Sequence, residues 1–233
     1  MLRLQRHNDI IRLLREKKEL TVKEISGALY CSAATVRRDL EELESRGLLK
    51  RSFGGAVLNE GFFDQLPLAV RGVRNIAEKQ RIAAKAARLI RPGDTIFIDS
   101  SSTTYFLAPH LKGIEDLTVI TNNPHLNIVL SEMRVRNFCT GGEMLTSSVA
   151  LVGSDAEKFI RGIRADTVFF SARGADGVNI TDSSKAERDI KLAMIEGAKR
   201  KYFLADRSKN GLTYPYVVCP FDTPDMTVDE ERD

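Results

Sequence analysis

Cysteine and histidine are scarce in this 233-residue sequence, with three of each. The cysteines, Cys31, Cys139 and Cys219, lie far apart and form no CxxC pair, so zinc ribbons and disulfide frameworks are poor interpretations. The three histidines are scattered and do not indicate a metal cluster. We therefore expect reduced cysteines, no metal, no cofactor and a cytoplasmic protein.

Long apolar stretches are missing as well. No run approaches the roughly 18 residues that a membrane-spanning helix needs, so the sequence predicts no membrane partner. The N-terminal residues MLRLQRHNDIIRLL are interrupted by charges too often for a secretory signal. Apolar residues still make up 42% of the chain, enough for a packed core, and the length suits two modest domains.

The small net charge of +3 conceals an uneven distribution along the chain. Residues 1–58 hold 12 lysines and arginines against 8 aspartates and glutamates, a net of +4. The remaining residues hold 23 against 24, a net of −1. Because the basic excess is confined to the N-terminal quarter, we expect that part to contact nucleic acid and the rest to have a separate role.

Residues 1–58 show the pattern of a helix-turn-helix. Apolar residues in RHNDIIRLLREKKEL recur on one helical stripe. A second helix begins at a capping box, with Thr21 as the cap and Glu24 three residues later. After the turn YCSA, Ser32 is a suitable N-cap for a third helix. In helix-turn-helix proteins the second helix of the motif enters the major groove of DNA.

The third helix has one apolar and one basic side. Val36, Leu40 and Leu43 share a helical face that can pack on a core. Arg37 and Arg38 lie to the other side, near the helix N-terminus, where cations oppose the helix dipole. An anionic partner is a better reason for arginines at this position than helix stability.

A basic hairpin, or wing, is predicted after this helix. Gly47 ends the helix, and LLKRS and AVL form two short strands around FGG, where glycines permit positive φ. The predicted DNA contacts are the exposed start of the third helix and the basic residues of the wing: Ser32, Ala33, Thr35, Arg37, Arg38, Lys50 and Arg51. The helix residues are expected at base edges or phosphates, and the wing residues at the DNA backbone.

A three-helix module with solvated arginines, or a helix-turn-helix that docks proteins, is the alternative. The capping residues, the basic face, the wing and the charge asymmetry agree better with double-stranded DNA as the partner.

The stretch TVKEISGALYCSAATVRRDLEELESRGLLKRSFGGA resembles the DNA-binding module of DeoR-type bacterial transcriptional regulators. The resemblance rests on T-V-R-R-D-L-x-x-L-E-x-x-G-L-L-x-R followed by a double glycine. The sequence departs from the family at Phe53, where histidine is usual before the wing glycines.

A linker over residues 59–75 and an α/β domain over residues 76–233 are predicted next. Helical segments such as NIAEKQRIAAKAARLI and SKAERDIKLAMIEGAKR alternate with short apolar strands, among them TIFID, LTVIT, VRNFCT, TVFFSA, KYFLAD and YVVC. This alternation predicts a mainly parallel sheet with helices on its faces. Ligands of such sheets bind beyond the carboxyl ends of the strands.

Polar residues follow five of these strands. The hydroxyl-rich segment 99–104 opens a helix, so its N–H groups and the helix dipole suit an anion such as phosphate. Asn122-Asn123, Gly141-Gly142, RGADG and RSKNG follow the other four, and Arg173 and Lys209 could add positive charge. Together they predict a site for a small anionic metabolite.

This half also resembles the DeoR family, through IFIDSSSTTYFLA, LTVITNN, TGGE, LVGSDAE, ADTVFFSARGADG, KAERDIKLAMI and FLADRSKNG. The family's C-terminal domain is similar to ribose phosphate isomerase and binds phosphorylated sugars. The resemblance therefore implies an effector site built from Asp99, Ser101, Ser102, Thr103, Thr104, Asn122, Gly141, Gly142, Gly174, Asp176, Glu187 and Lys209. The sequence departs from the family at Ser101, where glycine is common.

Two function classes follow. The first is a sequence-specific transcriptional regulator, a repressor of sugar-metabolism genes controlled by a phosphorylated sugar, acting as a homo-oligomer (dimer or tetramer). The second is a sugar-phosphate isomerase-like enzyme with an appended DNA-binding domain, since Asp99, Asp176, Glu187 and Lys209 are of acid-base type. We favour the regulator, without catalytic residues, because an isomerase has no use for a winged helix.

Overall fold

The computed structural model describes residues 6, 7, 9, 10, 13, 14, 17, 19–45, 49–52, 54–58 and 74–231. The chain divides into two compact units, residues 1–66 and 67–233. Most of the linker predicted at 59–75 lies outside the described residues, as do Gly47 and Phe53. Among the described helices, none is both long and apolar enough to cross a membrane.

The first unit has helical residues between positions 6 and 17 and then a small antiparallel sheet around two helices. The strands stand in the order β1-β3-β2. In chain order the elements are β1 (Glu19–Thr21), α1 (Val22–Leu29), α2 (Ala33–Ser45), β2 (Leu49–Ser52) and β3 (Gly55–Leu58).

The predicted caps position these two helices. The Thr21 hydroxyl accepts a hydrogen bond from the Glu24 N–H, and the Glu24 carboxylate accepts one from the Thr21 N–H at 2.8 Å, which completes the capping box. Tyr30 ends α1 in the left-handed region with φ 52°. Ser32 caps α2 by accepting a hydrogen bond from the Thr35 N–H at 3.1 Å. The turn between the helices is thus fixed at both ends.

The two wing glycines have different roles. Gly54 has φ +83°, as expected of a hairpin turn. Gly55 does not adopt positive φ, contrary to our expectation for the whole FGG stretch. A Cβ at Gly55 would lie 2.3 Å from the Leu20 carbonyl oxygen, so glycine is needed there for the close pairing of β3 with β1. Strand β1 was not predicted, because three residues are too few to show a period.

The second unit is built on a six-stranded parallel sheet in the order β14-β12-β9-β4-β5-β6. Its strands are β4 (Thr95–Ile98), β5 (Thr118–Thr121), β6 (Arg136–Cys139), β9 (Ala165–Phe170), β12 (Ala198–Leu204) and β14 (Met226–Val228). The predicted mainly parallel α/β architecture is therefore confirmed. All carboxyl ends of these strands meet at one edge, here called the carboxyl edge.

Helices cover both faces of this sheet. They are α3 (Ile76–Ala87), a 3-10 segment (Thr104–His110), α4 (Pro124–Glu132), α5 (Ser154–Arg161) and α6 (Lys185–Gly197). Side chains alternate along the strands, so Phe97 and Phe170 enter one core with α5 and α6, while Ile96 and Phe169 enter the other.

Two small antiparallel sheets complete the unit. One is the hairpin of β7 (Glu143–Leu145) and β8 (Ala150–Val152). The other joins β10 (Gly174–Ala175), β11 (Asn179–Asp182) and β13 (Tyr216–Pro220). The pattern had suggested that YVVC, within β13, belongs to the parallel sheet. That prediction was wrong, since β13 pairs with β11, and such short strands give no sign of their partners.

Candidate functional site

Two separate surfaces contain the predicted functional residues, and the first is the start of α2. Val36, Leu40 and Leu43 are buried, which leaves Arg37 and Arg38 exposed on the opposite side of the helix. No carboxylate of the described residues pairs with either arginine. Two unpaired guanidinium groups at a helix start are a suitable surface for phosphates and base edges.

The polar residues of the α2 N-terminus are partly engaged within the chain. Ser32 is exposed, but its hydroxyl is used in capping and lies 2.9 Å from the Thr35 hydroxyl. Ala33 and Thr35 are half-buried. The Ser32 hydroxyl can still donate or accept a further bond, because a hydroxyl has two lone pairs and one proton.

A buried carboxylate holds α2 against the N-terminal helical residues. Asp39 accepts hydrogen bonds from the Arg6 guanidinium at 2.5 and 3.0 Å, and His7 Nε2 lies 3.1 Å away. Burial opposes ionisation of Asp39, but the bonds from Arg6 and His7 outweigh it and lower the pKa of the carboxyl group. Since Asp39 follows directly after Arg38, this contact fixes the rotation of the helix about its axis.

The two basic residues of the wing differ in their surroundings. Arg51 donates from Nε to Glu44 at 2.7 Å and from Nη1 to Glu41 at 2.9 Å, and its own N–H also donates to Glu44. That backbone bond is the main reason why the pKa of Glu44 is lowered. Lys50 is exposed and has no such ion pair with a described carboxylate. The wing is thus tied to α2 through Arg51, while Lys50 remains available to a ligand.

The second surface is the carboxyl edge of the parallel sheet, where the loop 99–104 follows β4. Its hydroxyl side chains are buried, and those of Ser101 and Thr104 are hydrogen bonded to each other. The Ser101 hydroxyl donates to the Asp99 carboxylate at 2.7 Å, and the Thr104 hydroxyl lies 2.9 Å from both Asp99 and Ser101. These bonds hold the loop in one shape before any ligand arrives.

Two lysines reach the middle of this loop. Lys79 of α3 donates to the Ser102 hydroxyl at 3.0 Å, and Lys209 donates to the Thr103 hydroxyl at 3.1 Å. Lys209 also donates to Ser171, at the end of β9. Two ammonium groups on adjacent hydroxyls, at the start of a helical segment, form a cradle for an anion.

Asp99 lies beneath the loop and not on its surface, with an exposed fraction of 1%. Its nearest cation is Lys191 of α6 at 3.4 Å, which also pairs with Asp182 at 3.2 Å. Burial disfavours the charged amine, but Asp182 and Asp99 outweigh it and raise the pKa of Lys191. Complete burial raises the pKa of Asp99, because the attraction to Lys191 and the bonds from Ser101 and Thr104 do not outweigh the loss of solvation.

Glu187 lies one turn before Lys191 on α6 and is also buried. Its negative charge adds to the field that keeps Lys191 protonated. Asp99 and Glu187 were both expected in the effector site. In the structure, both acids stabilise the buried positive charge of Lys191.

The loops after β5 and β6 contribute amides and backbone. Asn122 donates to the Leu151 carbonyl at 3.0 Å, while its own side-chain oxygen is buried and has no hydrogen-bond partner within the described part of the chain. Gly141 and Gly142 have φ +71° and +103°, and a Cβ at Gly142 would lie 2.4 Å from the Val152 carbonyl oxygen. The hairpin β7–β8 is thereby packed closely against these loops.

Gly174 and Asp176 have structural roles in the small sheet. A Cβ at Gly174 would lie 2.1 Å from the Leu212 carbonyl oxygen. Asp176 accepts bonds from the N–H groups of Val178 at 2.9 Å and Asn179 at 2.7 Å, and these bonds lower the pKa of its carboxyl group. Asp176 therefore closes the turn between β10 and β11, and none of its hydrogen bonds within the described residues reaches the 99–104 loop.

Several buried polar atoms at the carboxyl edge have no hydrogen-bond partner among the described residues. Such atoms cost free energy in a folded protein and are often completed by a ligand or water. In loops that follow the parallel strands, they are Asn122 Oδ1, Asn123 Nδ2 and Arg173 Nε. The edge is therefore prepared for hydrogen bonds that the described chain does not supply.

Comparison with known protein families covers both surfaces. Residues 6–62 match the DeoR-like helix-turn-helix domain, and residues 74–231 match the DeoR C terminal sensor domain. This chain belongs to the DeoR family. Both halves of the resemblance seen in the sequence are confirmed.

Curated DeoR-type relatives match the chain over nearly its whole length. The HTH-type transcriptional regulator GolR of Listeria innocua is 33% identical over 234 residues, covering 100% of this chain and 92% of the relative. The lactose phosphotransferase system repressor of Staphylococcus aureus is 34% identical, covering 89% of this chain and 84% of the relative. These relatives are named as regulators and repressors, which agrees with our choice of a regulator over an enzyme.

Solved structures resemble part of this DeoR-family chain at low identity. An eIF2B delta structure from Chaetomium thermophilum has a TM-score of 0.51 and 15% identity, covering 71% of this chain and 60% of that one. It shows a shared fold only. Ribose 5 phosphate isomerase A from Neisseria gonorrhoeae matches with a TM-score of 0.41 and 14% identity, covering 58% of this chain and 53% of that one.

Three site residues of this DeoR-family protein were missed from the sequence: Lys79, Asp182 and Lys191. The two lysines carried a signal. Lys79 shares the buried face of α3 with Ile82, Ala83 and Ala86, and Lys191 lies on the buried side of α6. A lysine on the apolar face of a helix requires a buried partner, so it indicates a polar site beneath the helix.

Proposed function

We propose that this protein is a repressor of sugar-metabolism genes that binds operator DNA through α2 and the wing and is released by a phosphorylated sugar. It would act in the cytoplasm. The observation that supports the effector class best is the cradle formed by Ser102, Thr103, Lys79 and Lys209. A relative named as the lactose phosphotransferase system repressor supports the link to carbohydrate metabolism.

DNA binding rests on the exposed pair Arg37 and Arg38. If Arg38 contacts a base, Arg38→Ala weakens operator binding by about 1–3 kcal/mol and relaxes specificity at that base pair. If it contacts phosphate, binding weakens alike on all sequences. The measurement is fluorescence anisotropy with operator and scrambled duplexes at several salt concentrations. Unchanged affinity in both Arg37→Ala and Arg38→Ala would remove α2 from the interface.

The phosphate is held at the 99–104 loop in this proposal. Its charge is met by Lys79 and Lys209 and its oxygens by N–H groups at the start of the 3-10 segment. Sugar hydroxyls would then reach the amide oxygen of Asn122 and the loops beyond it. Phosphate supplies most of the affinity, and the hydroxyls supply the discrimination.

Two variants of Thr103 test this arrangement. Thr103→Leu fills the cradle and should abolish release of operator by the effector, whereas Thr103→Val removes only the hydroxyl and should weaken it. Thr167→Val is the matched control, because Thr167 is buried in β9 and its hydroxyl has no partner in the described chain. The proposal fails if Thr103→Leu releases operator like wild type, or if the unphosphorylated sugar is as effective as its phosphate ester.

Operator recognition by this protein requires at least a dimer. One winged helix contacts few base pairs, and a two-fold pair doubles the contacts on a palindromic operator. Sedimentation at micromolar concentration, with and without operator, measures the assembly. A monomer that binds operator at full affinity would contradict this part of the proposal.

A further inference from the structure

Arg173 is a partly buried cation whose charge is not met by the described chain. Its Nε atom is buried and has no hydrogen-bond acceptor, and no carboxylate of the described residues forms an ion pair with it. A buried N–H without an acceptor is costly, more so when the group is charged. The arrangement is therefore one that an incoming acceptor would complete.

Arg173 lies in a loop at the carboxyl edge, next to the loop that contributes to the effector cradle. It follows β9, which lies between β4 and β12 in the sheet, so its loop is flanked by the 99–104 loop and the 205–210 loop. Ser171, two residues earlier, contacts Lys209 through its hydroxyl and Asp99 through its N–H. Two residues of extended chain span about 6–7 Å.

The backbone of Arg173 is hydrogen bonded to β11. Its N–H donates to the Thr181 carbonyl at 3.1 Å, which joins it to β11 and not to the phosphate loop. Its side chain therefore begins two residues beyond Ser171, in the segment that is hydrogen bonded to β11.

Three buried acids at this edge already have cations. Asp99 and Asp182 share Lys191. Asp206 is buried, which opposes its ionisation, but Lys209 and Ser208 outweigh this and lower the pKa of its carboxyl group. Arg173 is left as a cation at this edge without a paired acid among the described residues.

We propose that Arg173 binds a second anionic group, at the sugar end of the effector. The effector class is then a phosphorylated sugar that also carries a carboxylate or a second phosphate. This inference rests on the proposed function, since it assumes that the first phosphate occupies the cradle. A guanidinium suits this role because its planar fork pairs with two oxygens of a carboxylate or phosphate at once.

Binding measurements with two matched pairs of compounds test the inference. The pairs are glucose 6-phosphate against 6-phosphogluconate, and fructose 6-phosphate against fructose 1,6-bisphosphate. Each pair shares a carbon skeleton and differs by one anionic group. Isothermal titration with the full-length protein should show about tenfold or tighter binding of the member with the additional anionic group in at least one pair, as expected for a charged, bidentate contact.

The Arg173→Gln variant should lose this preference. Its affinity for the member with the additional anionic group should fall about tenfold or more, while its affinity for the member with one phosphate alone should change less than about threefold. The matched control is Arg164→Gln, which removes the same charge from an exposed position just before β9, at the opposite edge of the sheet. That control should keep the preference.

Thermal unfolding without ligand separates binding from a structural role. Because the described chain gives Arg173 no acceptor, Arg173→Gln should leave the ligand-free melting temperature unchanged or raise it. A marked fall would show that the side chain supports the fold, and the inference would be withdrawn.

The remaining outcomes distinguish this inference from the proposed function. Equal binding of both members of each pair overturns the inference alone, as does an equal loss of both in Arg173→Gln, which would make Arg173 a phosphate ligand. If no phosphorylated compound binds while operator binding is intact, the proposed effector class fails and the inference falls with it.

Discussion

Replacing Lys191 with methionine should destabilise the α/β unit strongly. Methionine keeps the apolar stem of the side chain but removes the charge that Asp99 and Asp182 share. All three side chains are at least 95% buried, so water cannot take over the role of the amine. Two carboxylates would then remain in a low-dielectric site without a cation.

The magnitude follows from the burial of the pair. Removing one partner of a buried ion pair costs about 3–5 kcal/mol, because the charge left behind is not solvated. The matched control is Lys185→Met on the same helix. Lys185 pairs with Asp189 at 2.7 Å, but 68% of its side chain is exposed. An exposed pair contributes at most about 0.5 kcal/mol, so the two variants should differ several-fold in their cost.

The pH dependence gives a second signature. Lys191 has a raised pKa in the folded protein, so its contribution to stability is complete below about pH 10 and is lost as the pH rises further. In Lys191→Met the unpaired acids favour protons in the folded state, so the variant regains stability as the pH falls. The difference in the free energy of unfolding between wild type and variant should therefore be smaller at pH 5 than at pH 8.

Urea unfolding of the full-length protein, followed by circular dichroism, measures this cost. Hydrogen exchange of peptides from β4 and α6 assigns the loss to this unit. Adding Asp99→Asn and Asp182→Asn to the methionine variant should restore part of the stability, since the stranded charges are then gone. A loss below about 1 kcal/mol at pH 8, or a gap that does not change with pH, would refute the reasoning.

Three further predictions concern other parts of the chain. Lys50→Ala should lower the slope of log affinity against log salt by about one. Arg51→Ala should leave this slope nearly unchanged, because Arg51 is paired with two acids of α2. Equal slopes of the two variants in operator titrations would contradict this prediction. Gly142→Ala should destabilise the protein by about 2 kcal/mol or more, and Gly141→Ala by less, since both have positive φ but only Gly142 lacks space for a Cβ; calorimetry that ranks them the other way would count against the close packing. The Cys219 thiol, whose pKa burial raises to about 11, should resist alkylation at pH 8 in the native protein and react only on unfolding, as followed by mass spectrometry.

Local signals in the sequence were sufficient for most of the main elements. The capping box at Thr21, the cap at Ser32 and the apolar face of α2 each depend on residues within one or two turns. The parallel sheet followed from the alternation of strands and helices, which is also a local pattern. Strands β1, β7, β8, β10, β11 and β14 escaped, because two to four residues are too few for a period and their pairing depends on distant partners.

The candidate site was predicted in place but not in detail. Because the strands are parallel, the loops after β4, β5, β6, β9 and β12 are expected at one edge of the sheet. The parallel order does not show that Asp99 lies under the loop, because its cation comes from a helix 92 positions later. Asp176 was assigned to the site by its neighbours in the sequence, whereas its bonds are those of a turn. Arg51 was assigned to DNA by its charge alone, without knowledge of the acids on α2.

Neighbouring strands of the parallel sheet are far apart in the chain, so the sheet can form only late in synthesis, after the first unit has been made. The central strand β9 and its neighbour β12 are made long after β4, and β14 at the outer edge ends only at residue 228. The winged helix has its own buried core within the first 58 residues, so it can form while the sensor unit is still being translated. A chain that stops before Lys191 would retain the proposed DNA-binding residues of α2 and the wing. It would lack the cation that pairs with Asp99. Premature stop mutations in this region are therefore expected to remove the effector response before they remove the DNA-binding module.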